Sequence, residues 1–494
     1  MRKNNTPISP KRPASLPAAT VLALVLLLAA GGCSPFRPAP RDFNADMLPP
    51  CFSLYSDNAT ATGKWWEGFG SAELNRLVET ALAENLDIRQ AWARLRQARA
   101  GAVQSGADRY PSLDGDAGYS HTRQRADAGS GGKKTTDADS HSLGLSAAYE
   151  VDLWGRVGAE AASGALDAQA GLEDLRASAM TVAAEVVDRW IEIQARRRER
   201  QILQEQVKAN ETYLELIELR FRNSLATALD VYQQRESLAK VKAQIPPVES
   251  EERVLLHELA ALLGRPAGAV ALSGEEPPAL PPLPGVGLPA DLLANRPDVR
   301  SAGLSLRSSD WAVAAARADR LPSLTLSGSG AFSGAQLATV FDNWILTLAA
   351  SVAGPIFDGG YRKAEVEKAR GVVDERLAAY KSAVLTAFKE VEDALTREKW
   401  QQRYIEARHG QLAAARVNLR EALSRYVQGL DDYLPVLTAL LSVQNLELSD
   451  VTDQEDLLLY RVSLHRALGG AWADALQPPA GSETDAAGQT PNKG

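Results

Sequence analysis

One heptapeptide occurs twice with a single change. Ala107-Asp108-Arg109-Tyr110-Pro111-Ser112-Leu113 returns as Ala318-Asp319-Arg320-Leu321-Pro322-Ser323-Leu324, an offset of 211 residues (109 to 320). Upstream in the same register, Leu86-Asp87-Ile88-Arg89 answers Pro297-Asp298-Val299-Arg300. Downstream the offset is 205: Trp154-Gly155 aligns with Gly359-Gly360, and Arg220-Phe221 with Arg425-Tyr426. The lost residues fall between the anchors, as in a shortened loop within a copied unit. This period exceeds the roughly 20–50 residues of solenoid repeats. The chain is a duplicated half-domain, and its fold is expected to carry internal pseudo-symmetry.

Each copy holds the same succession of patterns. After Pro111 the period is two: Leu113, Gly115, Ala117 and Tyr119 alternate with Asp114, Asp116, Gly118 and Ser120. A polar stretch, His121 to Ser140, precedes a second alternating run, Leu143 to Val151. Copy two repeats this over 324–333 and 344–352. The expectation is two hairpins, 112–151 and 323–353, with strands of about nine to ten residues, the length a tilted strand needs to cross a bilayer. Tyr119, Tyr149, Phe332 and Trp344 are candidates for an interfacial aromatic girdle. A half-buried soluble sheet would show the same alternation.

Long Pro-free stretches follow, at 156–222 and 360–426. Leu203, Val207, Leu214, Ile217 and Phe221 form a seam at spacings of three and four in the first. Such lengths imply coiled-coil-like packing. Each stretch ends at a polar turn, and shorter return helices are expected over 227–263 and 433–468. Pro246-Pro247 is expected to interrupt the first return helix.

The ends differ in character. Arg2, Lys3, Lys11 and Arg12 precede an apolar run, Val21 to Ala30, too short for a spanning helix. Residues 1–32 read as a signal peptide. Ala30-Gly31-Gly32-Cys33 resembles a bacterial lipoprotein cleavage box, which makes Cys33 the lipidation candidate and outer-membrane lipid a partner. Ser34, rather than Asp, favours the outer membrane. Residues 33–70 read as a lipid-anchored extended tether, 71–270 as repeat one, 271–290 as a Pro-rich linker, 291–470 as repeat two, and 471–494 as a disordered tail.

Several function classes lack support. A net charge of −8 argues against nucleic acid. The five histidines make no metal pair at helical spacing, and the two cysteines give no zinc spacing. His257-Glu258-Leu259-Ala260-Ala261 fails the zinc-protease pattern at its last position. No nucleophile has a base beside it. No catalytic residue, cofactor or metal is assigned.

Four strands of membrane type cannot close a barrel, and open edges in lipid would leave backbone groups unsatisfied. Several copies must therefore pool strands. Two give only eight, enclosing little beyond side chains; three give twelve around one axis. The helices would continue below as a cylinder. The fold class is thus α+β: a trimeric 12-stranded transmembrane β-barrel leading into a long α-helical coiled-coil barrel. The competing reading is a structural periplasmic coiled-coil lipoprotein without a pore.

The sequence resembles the TolC-like outer-membrane efflux family, in its NodT-type lipoprotein branch. The resemblance rests on Trp65-Trp66 with Phe69, Asn85-Leu86-Asp87-Ile88, Tyr110-Pro111-Ser112-Leu113, Tyr149-Glu150-Val151-Asp152-Leu153-Trp154-Gly155, Arg296-Pro297-Asp298-Val299 and Phe357-Asp358-Gly359-Gly360. It spans about residues 64 to 472. It implies a homotrimer in the outer membrane of a Gram-negative bacterium, with a periplasmic adaptor (membrane fusion protein) and an inner-membrane pump as partners. It also implies a periplasmic gate at the helix tips, for which Asp230, Asp431, Asp432 and Tyr433 are candidates. Adaptor contact is implied at Arg220, Ser224, Leu225, Arg425, Gly429 and Leu430. Ser224 stands where the family usually has Gly. Thr438 and Leu441 stand where it often has Asp and Arg, so the usual gate network is not reproduced.

Overall fold

A computed structural model describes residues 35–41, 48–55, 63–127, 132–273 and 277–478. In chain order the regular elements are α1 (Ala72–Glu84), α2 (Leu86–Ala107), β1 (Ser112–Asp127), β2 (Lys133–Val151), α3 (Arg156–Arg222), α4 (Ala228–Leu262), α5 (Leu292–Asn295), α6 (Pro297–Ala318), β3 (Ser323–Gly334), β4 (Trp344–Ala353), α7 (Tyr361–Val427) and α8 (Leu434–Leu468). Short 3-10 turns lie at Trp65–Phe69, Pro289–Asp291, Leu337–Asp342 and Ala471–Ala475. α3 and α7 have 67 residues each, and α4 and α8 have 35 each. The duplication is therefore visible in element lengths.

The chain forms two compact units. The first comprises the described parts of Met1–Arg41, Arg99–Asp167 and Leu306–Glu375. It holds one antiparallel sheet in the order β1-β2-β3-β4. The polar stretch 121–140 is not a loop, as the alternation alone suggested. β1 and β2 stay paired out to Asp127 opposite Lys133, so they run 16 and 19 residues. Backbone pairing does not require apolar side chains, and opposed charges such as Arg123 and Asp137 sustain the ladder. At the helical end of this unit small residues allow close approach. A Cβ on Gly164 would lie 2.9 Å from the Ser105 Cβ. The Ser163 and Ser308 hydroxyls meet at 2.9 Å. Phe36 packs on Ala159, Ala314 and Ala315, and Arg41 pairs with Asp310.

The second unit comprises the described parts of Asp42–Ala98, Ala168–Ser305 and Arg376–Gly494. Its core joins Trp66, Leu74, Val78, Ile88 and Leu95 to Leu175, Val187, Ile191, Leu255 and Leu259. Asn85, buried between α1 and α2, ends one helix and starts the next. Its Oδ1 accepts from the Asp87 and Ile88 amides, and its Nδ2 donates to the Leu262 carbonyl.

Three expectations are corrected here. Pro246 and Pro247 do not interrupt α4, which is helical throughout. Two lost backbone donors are outweighed because Val241 and Val248, on either side, are both buried against Leu203. The tether reading does not hold for its last residues: Trp66 is fully buried, and Phe52 stacks on Phe388 at 5.8 Å. The tail reading fails at its start, where Trp472 meets Trp66 edge to face at 4.8 Å. In each case an aromatic side chain finds a core that local composition does not reveal. The Pro-rich linker is also pinned. The Leu272 carbonyl accepts from Arg197, the Ser273 amide donates to Glu73, and the Pro281 carbonyl accepts from Arg461.

Candidate functional site: an open sheet and two helix tips

The sheet register puts the large apolar side chains on one side, with Ile345 the exception. Ala117, Leu143, Phe332 and Trp344 form one continuous rung. Opposed residues in antiparallel strands share a face, and alternate residues along a strand do too. Leu113, Leu145, Leu324, Leu326, Leu346, Leu348 and Val352 therefore lie on the same face as that rung. The other face carries Asp114, Asp116, Ser146, Thr325, Ser327, Ser329, Thr347 and Ser351 by the same register. β1 and β4 are exposed at every position. A soluble half-buried sheet needs a cover for its apolar side. Among the described residues nothing covers its outer strands, and neither outer edge is paired.

The aromatic candidates fall at two levels. Phe332 and Trp344 are opposite each other, and Tyr119 lies two residues farther toward the hairpin tip, opposite His141. Tyr149 lies six residues from Leu143 along β2, roughly 20 Å at strand rise. That separation approaches the apolar band of an outer-membrane barrel, about 25 Å tall.

In the second unit, α3 and α7 end alike. The Leu225 amide donates to the Arg220 carbonyl at 2.8 Å and the Ser224 amide to Phe221 at 2.9 Å. The Leu430 amide donates to Arg425 at 2.9 Å and the Gly429 amide to Tyr426 at 3.0 Å. Both are Schellman caps, which require a left-handed residue at the first position past the helix. Ser224 supplies it with φ 60°, alone among described non-glycine residues, and Gly429 with φ 77°.

Next to these caps the candidate gate residues take separate roles. Asp230 closes a capping box on α4: its carboxylate accepts from the Thr227 amide at 2.8 Å, and its own amide donates to the Thr227 hydroxyl at 3.2 Å. Asp431 accepts from Arg425 at 2.5 and 3.2 Å, which holds its carboxyl below the usual range. Asp432 is exposed. Tyr433 is buried, and burial drives its phenol well above the ordinary value. Its hydroxyl donates to Gln234 Oε1 at 2.5 Å. Tyr426 packs beside it at 5.4 Å, with the Arg220 guanidinium 4.5 Å over the Tyr426 ring. Arg220 also donates to the Val427 carbonyl, tying the end of α3 to the end of α7.

The model of the outer membrane efflux protein family matches residues 77–265 and 288–470, one stretch in each half. The chain belongs to the outer membrane efflux protein family. Among relatives, the pyoverdine export outer membrane protein OpmQ of Pseudomonas aeruginosa is 33% identical over 92% of this chain and 96% of its own length. Outer membrane protein OprJ of the same species is 31% identical over the same shares. The solved outer-membrane channel OprN superposes with a TM-score of 0.82 at 26% identity, covering 89% of this chain and all of that one. The fold is that of these outer-membrane channels, as the resemblance implied.

Of the tip residues named from sequence, Tyr433 packs in one apolar cluster with Tyr426, Leu437, Ile217 and Val231, and Arg220 lies over the Tyr426 ring. Among the described residues, Asp230, Asp431 and Asp432 form no shared ion-pair network. Asp230 is engaged by its own helix start and Asp431 by Arg425. Cys33 lies outside the described residues. The sequence reading missed a buried polar string just behind the tip. Gln234 Nε2 donates to Asn210 at 2.9 and 3.0 Å, Ser237 donates to Asn210 at 3.0 Å, and Gln206 donates to the Gln444 carbonyl at 3.0 Å. The signal was available: Gln206 and Asn210, and Gln234 and Ser237, sit at helical spacings of four and three among buried apolar positions.

Proposed function

We propose that this chain is the outer-membrane duct of a tripartite export system, working as a homotrimer. The observation that carries the reading is the four-stranded sheet. It has one apolar face, one polar face and two open edges, which is a third of a closed twelve-stranded barrel. The apolar side would meet lipid and the small polar side would line water. The duct is passive. An inner-membrane pump supplies energy, and a periplasmic adaptor grips the helix tips around Arg220, Ser224, Leu225, Arg425, Gly429 and Leu430. The relative OpmQ is named for pyoverdine export, and a compound of that kind falls within the proposed cargo range. Lipid on Cys33 adds a second hold on the outer membrane.

In this reading Asp230, Asp431, Asp432 and Tyr433 restrain the periplasmic opening. Three copies of an acidic tip around one axis would favour cations over anions. The deciding experiment is mass determination of the detergent-solubilised protein combined with planar-bilayer recording. A trimer giving discrete conductance steps is expected. A stable monomer that leaves the bilayer silent would overturn the reading and favour the poreless coiled-coil lipoprotein.

A further inference from the structure

One groove on the second unit is built from stacked arginines and aromatic rings. Arg397, Trp400, Gln401, Arg403 and Tyr404 of α7 line it with Tyr460 of α8. The Arg397 guanidinium lies 5.9 Å over the Tyr460 ring and Arg403 4.9 Å over Trp400. Trp400 and Tyr404 are 58% and 48% exposed, so ring faces are open to a visitor. The groove holds about 520 Å³, within the span of small-molecule sites.

Its charge is one-sided. Glu390 and Asp393, two turns and one turn before Arg397, are taken by Arg296 and Lys389, and Asp453 is taken by Arg408. Asp456, four residues before Tyr460, does not line the groove. Among the described residues Arg397 and Arg403 form no ion pair. The scaffold does not require this arrangement. α3 and α7 are copies of equal length, and the α3 residues 205 positions earlier are Glu192, Ala195, Arg198 and Glu199. Repeat one thus builds the same helix with no aromatic ring at these places and with acids at two of them.

Position on the helices sets the side it faces. Elsewhere on α7 the Phe52 ring stacks on Phe388 and the Ser53 amide donates to Glu392. At about 100° per residue, Arg397 and Tyr404 lie roughly 180° and 160° round the helix from Phe388. On α8, Tyr460 lies roughly 140° from His465, on which Trp65 stacks. The segments carrying Phe52 and Trp65 would obstruct a bore if they ran inside it, so theirs is the outer side. The groove then faces the bore.

We infer that this groove binds planar aromatic anions on their way through the duct. A flat ring stacks on Trp400 or Tyr404, and its carboxylate accepts from the Arg397 and Arg403 guanidiniums. The inference rests on the duct reading above and gives it a cargo class. The tip acids do not cancel it. Tyr404 and Val427 are separated by roughly 35 Å of helix, several Debye lengths at physiological salt.

The test uses the full-length trimer and three probes of one shape: 2-naphthoate, 2-naphthylmethanol and 2-naphthylmethylammonium. In planar bilayers 2-naphthoate is expected to interrupt the current at about tenfold lower concentration than the other two. Arg397→Gln with Arg403→Gln should erase that preference, and Trp400→Ala should weaken all three probes. Fluorescence anisotropy of 2-naphthoate in detergent reads binding without conductance. In a Cys51→Ser background, Trp400→Cys should react with a water-soluble maleimide in the assembled trimer. Protection from the reagent would mean that a second copy fills the groove, and would overturn the inference. A conducting trimer that takes the three probes alike would overturn it too and leave the duct intact. Silent protein that binds 2-naphthoate through the two arginines would overturn the duct and the cargo role, and leave the anion site standing.

Discussion

Ser224 and Gly429, at the equivalent position 205 residues on, hold the same left-handed backbone at the ends of the two long helices. The cap geometry demands that conformation, and only glycine adopts it without strain. Ser224→Gly is therefore expected to stabilise the first tip by about 1 kcal/mol. Gly429→Ala should weaken the second by about 1–2 kcal/mol through backbone strain alone, since an added Cβ there meets nothing within 4 Å. Hydrogen exchange at the Leu225 and Leu430 amides reads both effects. Unchanged protection in either variant would remove the strain argument.

Asp230 is expected to matter for closure through its helix start. Asp230→Ala breaks the capping box and should cost about 1 kcal/mol at the start of α4. Single-channel recording should show a raised resting conductance. Asp230→Glu retains a carboxylate at the box position and should conduct like the parent. Equal conductance in all three would take Asp230 out of the gate.

Arg461 and Glu398 form an ion pair whose side chains are only 2% and 3% exposed, and Arg461 also donates to the Pro281 carbonyl in the linker. Glu398→Ala strands a buried guanidinium and should destabilise by about 3–5 kcal/mol. Replacing both, with Arg461→Met and Glu398→Leu, should cost much less than that single change. Thermal unfolding followed by helical circular dichroism distinguishes the two. A double variant as unstable as Glu398→Ala would contradict the desolvation account.

Acidity should act on the second unit in two opposed ways. Burial raises Asp188 and Glu455 to about 7. An acid raised on folding favours the protonated form, so stability increases as pH falls through about 7. Burial lowers His465, stacked on Trp65, to about 4. A base lowered on folding loses stability as pH falls below its ordinary value of about 6.5. Two groups gain where one loses, so melting temperature should rise on acidification from about pH 7 and turn over only near pH 4, with a shallower slope below about 6.5. Asp188→Asn together with Glu455→Gln should remove the rise and leave only the loss from His465 below about pH 6.5. A flat profile in the parent protein would dismiss these shifts.

Cys33→Ser should abolish incorporation of radiolabelled fatty acid while leaving the described fold intact. Persistent labelling would redirect attention to Cys51, which is exposed.

The duplication, the alternating strands and the proline-free helices were legible in the sequence because each depends on local periodicity or on copied residues. Period two names a strand, and a seam at three and four names a helix, whatever lies beyond. What escaped was whatever depends on partners far along the chain. Trp66 and Trp472 looked like parts of a tether and a tail until each proved to be the other's neighbour. Pro246 and Pro247 looked like a break because their cost is local, whereas the packing of Val241 and Val248 that offsets it comes from α3. The gate candidates were recognisable as residue types, but sequence did not reveal that Asp230 is held by Thr227, Asp431 by Arg425 and Tyr433 by Gln234. The sequence alone determined that the runs of period two are strand and the long proline-free runs helix, since that follows from the order of side chains along the backbone. Only the tertiary structure decided that all four strands turn their apolar sides the same way, because register is a relation between strands and no strand carries it by itself.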